Sequence, residues 1–180
     1  MRLDTPRIKP IPVGHFTPEQ HQVLNRSGGE VLNIFRTLAH HIKLAKRWMV
    51  FANHILGKST INPREREILI LRIGWLCQSG YEFAQHEIIG EKAGLTKIEI
   101  QQIKKGPTAG TWGPLDRLLL QAVDELHQDQ MISTDIWEGL SEHYSTEQLM
   151  DLVFTVGQYT MVSMALNTFG VQLEEAKPQP

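Results

Sequence analysis

The stretch from Asn62 to His86 constrains this chain more than any other. It reads Asn62-Pro63-Arg64-Glu65-Arg66-Glu67, an apolar run to Leu76, then Cys77-Gln78-Ser79-Gly80-Tyr81-Glu82-Phe83-Ala84-Gln85-His86. Two helix starts are written into it. Asn62 suits an N-cap, Pro63 the first helical position, and Glu65 the returning partner of a capping box. Ser79 and Glu82 repeat that spacing, and Gly80 lets a second helix begin abruptly. The run Ile68–Leu76 has the local composition of a strand. Its helix start and its length favour a buried helix instead.

The same stretch gathers chemistry. Glu82 and His86 are four apart and share one helix face, with Cβ atoms roughly 6 Å apart. An imidazole with an ordinary pKa near 6.5 can act as acid or base at neutral pH. The plain alternative is a core histidine satisfied by a backbone carbonyl, and the chain has eight histidines. Glu67 sits among Ile68, Leu69, Ile70, Leu71 and Ile73. It either faces solvent, pairs with Arg64 or Lys92, or serves His86 by holding its tautomer or carrying its proton. A partly buried carboxylate beside a neutral group has a raised pKa, as a proton carrier needs. Glu82 is either the third residue of a capping box with Ser79 or a second acid. Tyr81 and Gln85 are candidates to orient a polar substrate, or they line the helix. Cys77 is either a buried inert thiol or a redox thiol resolved from outside. Glu82, His86 and Glu67 could in number ligate a metal, but no second E-x-x-H or H-x-x-x-H motif accompanies them, so no metal is expected.

The pattern R-E-R-E, apolar run, C-x-x-x-Y-E-F-x-Q-H, followed by Ala93-Gly94-Leu95-Thr96, resembles the carboxymuconolactone decarboxylase family, which includes the alkylhydroperoxidase D proteins. Asn33-Ile34-Phe35-Arg36-Thr37-Leu38 and Gly157-Gln158-Tyr159 extend the resemblance to a subgroup of that family. The peroxidases of the family carry a Glu, a C-x-x-C pair, and a His four residues after the second Cys. On this chain Glu67 and His86 match the glutamate and the histidine, while Ser79 and Glu82 stand where the cysteines would be. The resemblance implies an all-α, alkylhydroperoxidase D-like fold of about eight helices. It also implies a homo-oligomer, either a trimer or a hexamer built from dimers. The leading functional expectation is a carboxy-lyase-like enzyme doing proton transfer on a small lactone or carboxylic acid, with His86, Glu67 and Glu82 catalytic and no cofactor. One alternative is a hydroperoxide reductase using Cys77. The other is a non-catalytic oligomeric binding module.

Composition narrows the setting. With 180 residues, 41% of them hydrophobic, the chain suits one domain with a real core. The net charge of −2, with lysine and arginine scattered, gives no reason to expect nucleic acid or an acidic membrane surface. One cysteine precludes an internal disulfide and, with no apolar leader after Met1, points to the cytoplasm. The most apolar stretch, Leu152 to Leu166, contains Gly157, Gln158 and Ser163, and reads as too short and too polar to span a bilayer.

In chain order, residues 1–16 hold Pro6, Pro10 and Pro12 and are expected to form an extended arm along another element or subunit. A single all-α domain follows over 17–173. Thr17-Pro18-Glu19-Gln20 opens a helix that ends near Ser27-Gly28-Gly29. Val31, Ile34, Phe35 and Leu38 form the next apolar face, His40-His41 marks a corner, and a helix follows over 43–56. After the pair at 63–77 and 80–93, Thr96 and Glu99 form a capping box. The segment 105–113 is a loop. Pro114 opens a helix to about Gln128, Thr134 caps one near 135–142, and Ser145 with Gln148 caps the last, 146–168. That last helix carries Leu149, Leu152, Val153, Val156, Met161, Val162 and Met164, more apolar side chains than one small core should use, so an oligomer partner is expected to cover the surplus. Residues 174–180 read as a loose tail.

Overall fold

The computed structural model describes residues 1–24, 30–110 and 112–174. Among these the secondary structure is all helical, with no strand. The α-helices are α1 (Pro18–Leu24), α2 (Asn33–Leu38), α3 (Ile42–Gly57), α4 (Pro63–Leu76), α5 (Gly80–Lys92), α6 (Lys97–Lys105), α7 (Pro114–Gln128), α8 (Thr134–Ser141) and α9 (Thr146–Phe169). A 3-10 turn at Ala39–His41 makes the expected corner and separates the short α2 from α3, which brings the described helices to nine. The glycines expected to end α1, Gly28 and Gly29, lie outside the described residues, as do residues 175–180 of the tail.

Helix α4 is the axis. It packs against α5, α6, α7 and α9. Ile68, Leu69, Ile70, Leu71 and Ile73 have no exposed surface. A helix buried on every side needs no apolar stripe, which is why this run has no readable helical period. Each such side chain adds about 1.5–3 kcal/mol of burial, and replacing one with alanine would leave a cavity. Helices α4 and α7 run parallel. Arg64 clasps Asp116 through two hydrogen bonds of 2.9 Å, and eight residues further along both helices Arg72 clasps Asp124 at 2.6 and 2.9 Å. Both helices open alike, with Pro63-x-Glu65-Arg66 on α4 and Pro114-x-Asp116-Arg117 on α7.

The expected caps form at three helices. Thr17 with Gln20, Thr96 with Glu99, and Ser145 with Gln148 exchange reciprocal hydrogen bonds. At α4 the box does not close: Asn62 caps the Arg64 amide, but Glu65 accepts a hydrogen bond from the Tyr144 hydroxyl instead. The cap of α8 is Ser133, one residue before Thr134.

The N-terminal arm lies along its own chain. The amides of Arg7 and Ile8 donate to the Phe169 carbonyl, and the Ile11 amide donates to that of Arg36. Helix α9, at 24 residues, is long and apolar enough to span a membrane by length and composition, although 56% of its apolar window is buried inside the fold. It is longer than the stretch marked by apolar residues alone. The expected surplus on α9 also needs revision. Leu149, Leu152, Val156 and Val162 are buried in the chain's own core, and Val153 is half-buried. The exposed apolar side chains are Met161 and Met164, joined by Met150 and Phe154.

Candidate functional site

Helices α4 and α5 fold back on each other through a tight link in which Gln78 takes a left-handed backbone. The Ser79 amide donates to the Gly74 carbonyl at 2.9 Å. With that donor occupied, Glu82 has no N-cap amide to receive. The capping-box reading of Ser79 and Glu82 therefore fails, and the Ser79 side chain makes no cap bond. Glu82 turns to His86 instead.

Two glycines set how closely the helices approach. A Cβ on Gly74 would lie 3.5 Å from Glu82 Cγ, and one on Gly90 would lie 3.8 Å from Glu67 Cβ. This contact brings the three candidate side chains into one line. His86 Nδ1 is 2.6 Å from Glu67 Oε2, and His86 Nε2 is 3.0 Å from Glu82 Oε1. Glu67 is fully buried, and Glu82 and His86 nearly so. Arg66 reaches Glu67 Oε1 from Nε and from its terminal nitrogen, both at 3.3 Å.

Burial pulls the His86 imidazole down, but its hydrogen bonds to Glu67 and Glu82 and their charges outweigh burial and raise it from 6.5 to about 9. At neutral pH both ring nitrogens carry protons and face carboxylates. The carboxylates approach opposite edges of the ring, so they cannot converge with it on one ion. Among the described residues no group of histidine, cysteine and carboxylates has metal-binding geometry.

His86 and Glu82 open onto a cavity of about 140 Å³. Its walls are mostly apolar and include Ile34, Phe35, Trp48 and Tyr159. The Tyr159 ring stands edge-on to the imidazole, with centroids 4.9 Å apart, and burial and then the two carboxylates push its hydroxyl well above the ordinary value. Gln158, also in the wall, is buried, and its Oε1 has no hydrogen-bond partner among the described residues. Tyr81 and Gln85 line the same cavity, but their polar ends are engaged. The Tyr81 hydroxyl donates to Glu174 Oε1 at 2.7 Å, and the Gln85 amide donates to Glu174 Oε2 at 2.6 Å. Glu174 is therefore anchored rather than part of a loose tail.

Cys77 caps the end of α4 and does not line this cavity. Burial raises its thiol pKa, which disfavours the reactive thiolate. A larger cleft of about 640 Å³ lies at the α4–α5 turn beside Met1, Trp75 and Phe83. Glu87 is the one carboxylate among its lining residues, and the histidine–carboxylate contacts belong to the smaller cavity.

The motif marked Glu67, Glu82 and His86, and left out Arg66, Tyr159 and Glu174. Arg66 adjoins Glu67 in R-E-R-E, and Tyr159 stands in Gly157-Gln158-Tyr159, so both were adjacent to signals. Nothing local marks Glu174.

Residues 43–125 match the carboxymuconolactone decarboxylase family, so the resemblance read from the sequence holds over the segment carrying Glu67, Glu82 and His86. The fold is alkylhydroperoxidase D-like. A peroxidase-related protein of the alkylhydroperoxidase AhpD core from Ralstonia eutropha superposes with a TM-score of 0.80 at 18% identity, covering 93% of each chain. A peroxidase-related protein from a Silicibacter species gives 0.76 at 15% identity, covering 97% of this chain and 92% of that one. The debrominase Bmp8 in complex with 2,3,4-tribromopyrrole gives 0.73 at 12% identity, covering 93% and 91%. No curated protein matches the chain.

Proposed function

We propose that this carboxymuconolactone decarboxylase-like chain is an acid–base enzyme of the carboxy-lyase type, acting on a small lactone or carboxylic acid. The observation that carries the reading is the line Glu67–His86–Glu82, closed to water at Glu67 and opening at Glu82 and His86 onto an apolar cavity. Glu67, braced by Arg66, fixes the ring and keeps it protonated. Glu82 is the group in reach of a ligand and of the imidazolium together.

In the proposed reaction the bond from the substrate carbon to its carboxylate breaks. The electron pair stays on that carbon and spreads into the neighbouring carbonyl as an enolate. His86 passes its Nε2 proton to the Glu82 carboxylate, and the neutral carboxyl so formed faces the developing charge and delivers that proton to the carbon. Carbon dioxide leaves, and His86 regains its proton from solvent. The apolar walls strengthen each of these electrostatic contacts.

The test is incubation of carboxymuconolactone and a panel of small lactone acids in deuterated water. The expected result is release of carbon dioxide, with one deuterium on the carbon that lost it. His86→Gln should lower the rate by about 10²–10⁴-fold, the usual span for a general acid. Turnover that survives His86→Gln unchanged would overturn the assignment.

A further inference from the structure

The polar ends of Tyr81 and Gln85 hold a carboxylate that belongs to the protein itself. Glu174 Oε1 accepts from the Tyr81 hydroxyl at 2.7 Å and from the Asn33 backbone amide at 2.8 Å. Its Oε2 accepts from the Gln85 amide at 2.6 Å. Three donors from α2 and α5 thus converge on one carboxylate delivered by the segment after α9. That segment is itself tied down, because the Asn33 side chain donates to the Gln172 carbonyl at 3.1 Å and the Gln172 amide donates to the Leu3 carbonyl at 2.9 Å.

The donors are neutral. Among the described residues no arginine or lysine pairs with Glu174, and hydrogen bonds hold it. Two of the three donor residues, Tyr81 and Gln85, also line the cavity onto which His86 and Glu82 open. A second observation points to a ligand in that cavity: Gln158 is 4% exposed, lines the wall, and among the described residues leaves its Oε1 without a partner, an acceptor that a hydroxyl elsewhere on the ligand would fill. Buried polar atoms of this kind are rarely left unpaired.

We propose that Asn33, Tyr81 and Gln85 form a carboxylate-binding subsite of the His86 cavity, and that Glu174 is its resident ligand, which a carboxylate-bearing substrate must displace. The exchange replaces one carboxylate by another, so the charge of the region does not change. Glu174 costs an incoming ligand affinity, because only the fraction of molecules with the cradle vacated can bind. The proposal rests on the acid–base reading only for its choice of the His86 cavity as the substrate's place.

The test is calorimetric titration with benzoate, a flat apolar carboxylate suited to aromatic walls. It uses the full chain, Glu174→Ala, a chain ending at Gln172, and Glu174→Ala combined with Tyr81→Phe. Circular dichroism confirms helix content for each. Removing Glu174, by either route, should tighten benzoate binding at least about tenfold over the unaltered chain. Adding Tyr81→Phe should remove most of that gain. Equal affinity with and without Glu174, or no binding to any of the four at about 10 mM, would overturn the proposal. Because the readout is binding without turnover, a chain that decarboxylates nothing can still pass this test, and failure here leaves the proton-transfer reading standing.

Discussion

Glu67 and His86 meet at 2.6 Å across the α4–α5 hairpin, although simple pairing about the Ser79 turn offsets them by five residues, roughly 7–8 Å along the axis. The glycines account for the difference. Gly74 lies opposite Glu82 and Gly90 opposite Glu67, so His86 is four residues of α5, roughly 6 Å, from the position facing Glu67. A glutamate side chain and an imidazole ring span that distance when the backbones are this close. No bridging water is needed, and the direct contact is what raises the imidazole.

That contact has a pH signature. The folded pKa of His86, about 9, exceeds its ordinary 6.5, so the folded chain holds a proton that the unfolded chain releases between those values. The resulting stability is fully present below about 6.5 and is lost as pH rises through about 9, on the order of 3 kcal/mol in all. Urea unfolding at about pH 6 and about pH 9.5 should show the loss in the unaltered chain and a much flatter response in His86→Gln. Equal pH slopes for the two would contradict the raised imidazole.

The redox alternative makes an opposite demand. With Ser79 and Glu82 at the C-x-x-C positions, and Cys77 outside the His86 cavity with its thiol pKa raised by burial, thiol-dependent reduction of an organic hydroperoxide should be negligible. A coupled peroxidase assay on the unaltered chain and Cys77→Ser checks this. Robust turnover that disappears in the serine variant would displace the proton-transfer reading.

Much of this was legible before any coordinates. Capping pairs such as Thr96 with Glu99 carry their own geometry, and a hairpin between Asn62 and His86 follows from two helix starts and a short link. What the sequence hid has physical reasons. Ser79 and Glu82 look like a capping box, but the Gly74 carbonyl takes the Ser79 amide, a contact made by the turn rather than by local spacing. On α9, Leu149 and Val162 looked surplus because one helix shows its apolar residues without showing that α4, α5 and α7 all pack against it. Glu174 sits 93 residues from Tyr81, and a contact of that span leaves no mark in a local pattern.

Assembly is the next expectation. Met150, Phe154, Met161 and Met164 remain exposed on α9, a run of apolar surface that a partner subunit would cover. Light scattering at micromolar concentration should give a mass above one chain, and Phe154→Glu with Met161→Glu should lower it. A clean monomer for the unaltered chain would remove the homo-oligomer from this account.

The Arg72 clasp predicts a stability loss of a different kind. Its guanidinium is buried, holds both oxygens of Asp124, and donates to the carbonyls of Ile103 and Lys104 at 2.9 and 3.0 Å. Arg72→Met keeps most of the apolar stem but leaves a carboxylate and two carbonyls without their donor. Removing one partner of such a buried pair typically costs about 3–5 kcal/mol. Denaturant unfolding should show a loss in that range, whereas Lys46→Met, which breaks an exposed pair with Glu19, should leave stability nearly unchanged.

Gly90 joins helix packing to the chemistry of the site. A Cβ there would stand 3.1 Å from Leu95 Cδ1 and 3.3 Å from Leu71 Cδ1. Both contacts are tighter than ordinary van der Waals distance, and Leu71 belongs to the fully buried face of α4. Gly90→Ala improves helix propensity by up to about 1 kcal/mol, so an unconstrained position would gain stability. Here the methyl pushes α5 away from α4 at the level of Glu67, and overpacking of this kind costs about 1–3 kcal/mol. The variant should therefore be no more stable than the unaltered chain. As the Glu67–His86 contact lengthens, the opposing pull of burial gains on the carboxylate's hold, and the imidazole pKa should fall from about 9 towards 6.5. Nitrogen-detected NMR titration of the histidine ring reads that pKa directly. A variant that is more stable, with His86 still titrating near 9, would show that close approach at Gly90 is not what holds the pair together.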